Sequence, residues 1–100
     1  MPDTDDTWGF APPPFNAEQS LLQLQRAMRD LKLGARGKGF ELRGKSVVEF
    51  EVEPGAVAAR VARRLTLTPE WDRFTVKSAA DQRKLIDEVK KRLARWVDED

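Results

Sequence analysis

The stretch FELRGKSVVEFEVEPGAVAARVARRLTL, residues 40–67, decides the fold. In its first half Phe40 and Leu42 alternate with Glu41 and Arg43. After Gly44-Lys45-Ser46, Val48, Phe50 and Val52 alternate with Glu49, Glu51 and Glu53. Period two with apolar residues on one side marks half-buried strands. A three-residue loop at 44–46 sets Leu42 opposite Val48 and Phe40 opposite Phe50, so both strands bury the same face.

The second half, AVAARVARRLTL (56–67), admits two readings. Val57, Val61 and Leu65 stand four apart among Ala and Arg, which favours a helix. A turn at Pro54-Gly55 instead pairs Val52 with Val57, Phe50 with Ala59 and Val48 with Val61. It also sets Glu49 opposite Arg60 on the outer face, a favourable cross-strand pair. Strand is the reading adopted. Pro-Gly suits a type II turn, which is less usual in tight hairpins, so the register is the weaker part of that reading.

Helices flank this stretch. Asn16 is placed as an N-cap, Gln19 as its capping-box partner and Phe15 as a staple. Leu21, Leu24, Met28 and Leu31 form one apolar stripe, widened by Ala17 and Ala27, and Gly34 is the expected stop. Gly34–Gly39 reads as a flexible basic loop. Past the third strand, Thr68-Pro69-Glu70-Trp71 reads as a capped single turn with Pro at its first position. Phe74 and Val76 suggest a short extended stretch. The last helix is expected to begin at Ser78, with Asp81 at N3 and an apolar stripe of Leu85, Ile86, Val89, Leu93, Trp96 and Val97. Asp87–Lys91 and Glu88–Arg92 are i,i+4 pairs assigned to its exposed side. The fold class is therefore α+β in the order α-β-β-β-(β)-α: a small antiparallel sheet packed against two helices.

The chain has 100 residues, enough for one modest core, with 40% apolar and 35% charged residues. Residues 1–14, acidic and rich in proline, are expected to form a disordered tail before a single domain over 15–100. There is no His and no Cys. That removes thiol nucleophiles, Ser-His and Cys-His dyads, disulfides and His/Cys zinc sites. No basic start with an apolar run marks a secretory signal, and no apolar run approaches a membrane span, so a cytoplasmic location is expected. Arg outnumbers Lys and Ala is common, a bias typical of GC-rich bacterial genomes. The net charge of +1 averages acidic ends, a basic stretch over 26–45 and a Glu-bearing strand.

Four patterns bear on chemistry. Gly39-Phe-Glu-Leu-Arg-Gly44-Lys45-Ser46 fits the phosphate-loop pattern G-x-x-x-x-G-K-[ST] letter for letter. That motif needs a strand before it and a helix after it, whereas here its interior is strand-like and another strand follows. Nucleotide binding is accordingly ranked third. Glu41, Glu49 and Glu51 could gather a divalent ion, but Arg43 and Arg60 share their face, and a solvated charge ladder is the simpler account. No catalytic residue, metal site or cofactor is assigned.

The third pattern is a basic set, Arg36, Lys38, Arg43, Lys45, Arg60, Arg63 and Arg64, with Lys90, Lys91, Arg92 and Arg95 on the last helix. If these converge they could follow a phosphate backbone. The element order over roughly residues 16–97 is similar to that of the double-stranded-RNA-binding domain, and this resemblance implies binding of duplex RNA. The resemblance is one of topology. Where that family carries a Lys-rich cluster at its last helix, this chain has Ser78-Ala-Ala-Asp81. Where that family has a Gly-Pro-x-His-like turn between its first two strands, this chain has Gly44-Lys45-Ser46.

The fourth pattern is aromatic. Trp8, Phe10 and Phe15 flank acidic residues and three prolines, as in a short docking segment for a protein partner; the simpler alternative is that they plug the core. The function expected from these patterns is a non-enzymatic binding or adaptor module for a protein partner, with nucleic acid as the alternative.

Overall fold

In the computed structural model, residues 15–99 are described. They form α1 (Ala17–Asp30), β1 (Gly34–Arg36), β2 (Gly39–Leu42), β3 (Lys45–Glu53), β4 (Ala56–Ala62), β5 (Trp71–Val76) and α2 (Ala79–Glu99). The strands make one open antiparallel sheet in the order β1-β2-β3-β4-β5, so every strand pairs with its neighbour in sequence. The α+β architecture expected from the sequence is present, with five strands instead of three or four. The topology thus carries two strands more than the order on which the resemblance to the double-stranded-RNA-binding domain rested.

Residues 56–62 are strand, and the β3–β4 register is the expected one: Val52 faces Val57, Phe50 faces Ala59, Val48 faces Val61 and Glu49 faces Arg60. Gly55, with φ 72, supplies the left-handed position that the Pro54-Gly55 turn requires. The burial gained by Val57, Ala59 and Val61 on one sheet face outweighs the local helix propensity of Ala and Arg.

The β2–β3 register departs from expectation. The loop is a two-residue turn in which Arg43 (φ 55) and Gly44 (φ 81) both take the left-handed conformation of a type I′ turn, with Leu42 facing Lys45. Continued without interruption, that register would pair Phe40 with Val47 and turn Glu49, Glu51 and Glu53 into the core. A bulge between the Glu41–Ser46 and Phe40–Val48 pairs restores the alternation. Val47 and Val48 are consequently both fully buried. Phe40 and Phe50 are not opposite each other, but their rings meet edge to face at 6.2 Å.

Three smaller expectations are also corrected. Gly34–Arg36 is an edge strand, turned back onto β2 through Gly37 (φ 57). α1 ends before Gly34: Lys32 (φ 70) takes the left-handed position, its N–H bonds the Arg29 carbonyl, and the N–H of Leu33 bonds that of Met28. Residues 68–70 form no helical turn, and Trp71 opens β5 instead.

Asn16 and Ser78 are the N-caps expected, while the Asp81 carboxylate accepts from the Lys77 N–H at 3.1 Å instead of from the N-cap. Gln19 N–H donates to Asn16 Oδ1 at 3.0 Å and Asp81 N–H donates to Ser78 Oγ at 3.1 Å. The core joins Leu24 and Met28 of α1 and Leu85, Val89 and Trp96 of α2 to the inner sheet face. Ser20 Oγ donates to Gln82 Oε1 at 2.7 Å and so clasps the two helices together. The opposite face of the sheet is exposed at Glu51, Glu53, Arg73 and Thr75, while Ala56 and Ala62 on the same face of β4 are buried. Among the described residues, no helix is long and apolar enough to cross a membrane.

Candidate functional site

Strand alternation builds the outer face. Across β3, β4 and β5 its rows read Glu49–Arg60–Arg73 and Glu51–Ala58–Thr75, with Glu53 beside Ala56. An open groove of about 260 Å³ lies here, lined among others by Glu49, Glu51, Ala58, Arg60, Arg73 and Thr75. Ala58 leaves its floor shallow. One margin is acidic, along β3, and the other is basic, at Arg73. Arg60 Nη2 lies 3.0 Å from Glu49 Oε1, so this pair is internally neutralised. Glu51, Glu53 and Arg73 have no side-chain ion pair or hydrogen bond among the described residues, and all three are exposed.

The basic set is dispersed rather than gathered. Arg36 lies in β1 and reaches Glu41 (3.6 Å) and the Gly44 carbonyl (3.2 Å). Lys38 sits in the β1–β2 turn. Arg43 donates to the Val97 carbonyl at 3.4 Å, tying the β2–β3 turn to the last turn of α2, and Lys45 opens β3. Arg60 is on the outer face. Arg63 and Arg64 follow β4, with Arg63 Nε 2.8 Å from Asp72 Oδ1. Thus Arg36, Arg60 and Arg63 already face carboxylates. The phosphate-loop pattern is a β-hairpin, with no helix following Ser46 to present its amides.

Arg92, assigned from its spacing to the exposed side of α2, is instead 8% exposed. Its Nη2 meets Asp72 Oδ2 at 2.8 Å, its Nε meets Glu88 Oε2 at 2.7 Å, and Nη1 donates to the carbonyls of Val61 and Ala62, both at 3.3 Å. The guanidinium also lies 5.6 Å from the centroid of Phe74. Asp72 therefore bridges Arg63 and Arg92. The hydrogen bond from Arg63 is the main cause holding its carboxyl below the usual range, with Arg92 adding to it and partial burial opposing. The same partner raises Arg63 above its ordinary value.

Sequence reasoning missed Arg92, Asp72 and Arg73. The signals were present: Arg92 lies three residues after Val89 and four before Trp96, on the buried stripe itself. Arg73 and Thr75 alternate with Asp72, Phe74 and Val76.

The carboxylates considered for a metal do not gather. Glu41 lies beside Arg36 and Glu49 beside Arg60. Among the described residues no group of three or more acidic side chains is placed to hold one ion. Of the aromatic set, Phe15 is half-buried against the core and, with Val52, lines an open hollow at the start of α1. Trp8 and Phe10 lie outside the described residues. Compared with models of known protein families, with curated proteins and with solved structures, the chain matches none of them.

Proposed function

We propose that this chain is a non-enzymatic, cytoplasmic binding domain that uses the outer face of its sheet to hold a protein partner. The observation that carries the reading is the pairing of a small-residue floor at Ala58 with unpartnered Glu51, Glu53 and Arg73 on opposite margins. An alanine floor admits close approach of another backbone or side chain. Opposed charges at its rims fix the orientation of what lies there and disfavour wrong partners. A phosphate backbone fits this face less well, because an acidic margin would repel it.

Affinity capture tests the reading. A partner retained by an Arg36→Ala/Arg64→Ala variant and lost from an Arg73→Glu variant supports it. Capture that vanishes on nuclease treatment, or that ignores Arg73→Glu, overturns it in favour of the nucleic-acid alternative or of another surface.

A further inference from the structure

We infer that the occupant of the outer face is a second copy of this chain, seated face to face about a two-fold axis running along β4. The inference rests on reading that face as the contact surface and adds which partner it takes.

The charge layout is self-complementary under this one operation. β4 lies between an acidic strand and a basic one, with Glu49, Glu51 and Glu53 on β3 and Arg73 on β5; Lys77, exposed just past β5, extends the basic side. Rotation by half a turn about an axis parallel to β4 keeps each residue at its own height along the strands and exchanges the two sides. Glu49 of one copy then lies over Arg73 of the other, Glu51 over Thr75 and Glu53 over Lys77, and the same contacts recur on the opposite side, as an isologous interface demands. An in-plane axis perpendicular to the strands would instead stack β3 on β3 and set like charges together.

Ala56 and Ala58 stand near the axis, where two sheets must come closest, and the groove gives side chains from the opposing copy a place to enter. Arg60 also falls near the axis, but its charge is already taken up by Glu49 at 3.0 Å. Three strands about 4.8 Å apart and roughly 20 Å long give a footprint well below the ~800 Å² per partner of a tight complex. The dimer is therefore weak, and weakens further with salt.

Sedimentation of the full chain from about 1 to 300 µM, at low and high salt, reads this directly. The wild type should pass from monomer to dimer, with the transition moving several-fold higher in concentration in high salt. Lys77→Glu sets a carboxylate over Glu53 of the other copy and Glu53→Lys sets a cation over its Lys77, so each variant alone should stay monomeric. Mixed in equal amounts, the two should recover a heterodimer. These side chains are exposed, and thermal melts confirm that the variants fold. A wild type that stays monomeric throughout overturns the dimer; if Arg73→Glu still loses a captured partner, the reading of the face survives. A dimer that ignores the charge swaps places the contact elsewhere and overturns the inference.

Discussion

Arg92 on α2 and Asp72 on β5 meet at 2.8 Å across the seam where the last helix lies against the sheet edge. The pair does more than neutralise a buried cation. Through Nη1, the same guanidinium reaches the carbonyls of Val61 and Ala62, where β4 ends. One side chain thus fixes helix, edge strand and strand terminus in a single arrangement, and it sits where an apolar residue would satisfy the helix stripe.

Replacement of Arg92 by Met keeps much of the packing but takes this donor from the Val61 and Ala62 carbonyls and from Glu88, and leaves Asp72 to Arg63 alone. The expected loss is about 2–4 kcal/mol, read as a lower midpoint in urea unfolding. A Lys replacement should recover only part of it, since an ammonium cannot present the planar fork that meets Asp72 and Glu88 together.

The depressed Asp72 carboxyl fixes the sign of a pH effect. Its folded-state value lies below its unfolded one, so the stabilisation is complete above the unfolded pKa, about 3.9, and disappears as pH falls through the folded value. Unfolding midpoints measured from pH 6 down to about 2.5 should fall below about pH 4. Asp72→Asn should lower the pH 6 midpoint and flatten that decline; an unchanged acid limb would remove Asp72 from the account.

Lys32 closes α1 with φ 70, a conformation in which a side chain is strained. Lys32→Gly should stabilise the protein by about 0.5–1 kcal/mol, because relief of the left-handed strain exceeds the entropy that glycine adds to the unfolded chain. Thermal melting would register this as a rise of about 2–8 °C.

Two glycines should respond differently to alanine. A methyl group on Gly39 would run into the Val48 carbonyl oxygen and Glu49 Cα, so β2 must move away from β3; the expected cost is about 2–3 kcal/mol. Gly44 has open space around it but φ 81, and the strain alone should cost about 1 kcal/mol. Equal losses in chemical unfolding would argue against the close approach at Gly39.

A hairpin in place of a phosphate loop predicts no nucleotide site. Calorimetric titration with ATP or GTP and Mg²⁺ should give no binding heat, and Lys45→Ala should leave that result unchanged. Saturable binding abolished by Lys45→Ala would show the segment refolding around phosphate.

Wherever one side of an element meets water, the sequence was readable. The alternation of Val48, Phe50 and Val52 with three glutamates placed β3 and the register of β4, because any slip would bury charge. β1 was not legible: Gly-Ala-Arg is exposed throughout and has no pattern except that imposed by its pairing with β2. The β2–β3 register was missed because Arg43 adopts a left-handed conformation usual for Gly or Asn, and a bulge then corrects the phase. Of the candidate site, the Glu49–Arg60 pair was legible from strand alternation. Arg73 was missed with the length of β5, and Arg92 because an i,i+4 acidic partner made it look like a surface cation.

The meander also governs how the chain comes together. Since each strand pairs only with the next, every sheet contact can form by closing a short loop, at small entropic cost. The Ser20–Gln82 clasp spans 62 positions, and Arg92 reaches β4 across about half that distance. Assembly can therefore zip hairpin by hairpin, with α2 docking late to bring the two ends of the described chain into register. That order suits low contact order and rapid folding despite a sheet of five strands.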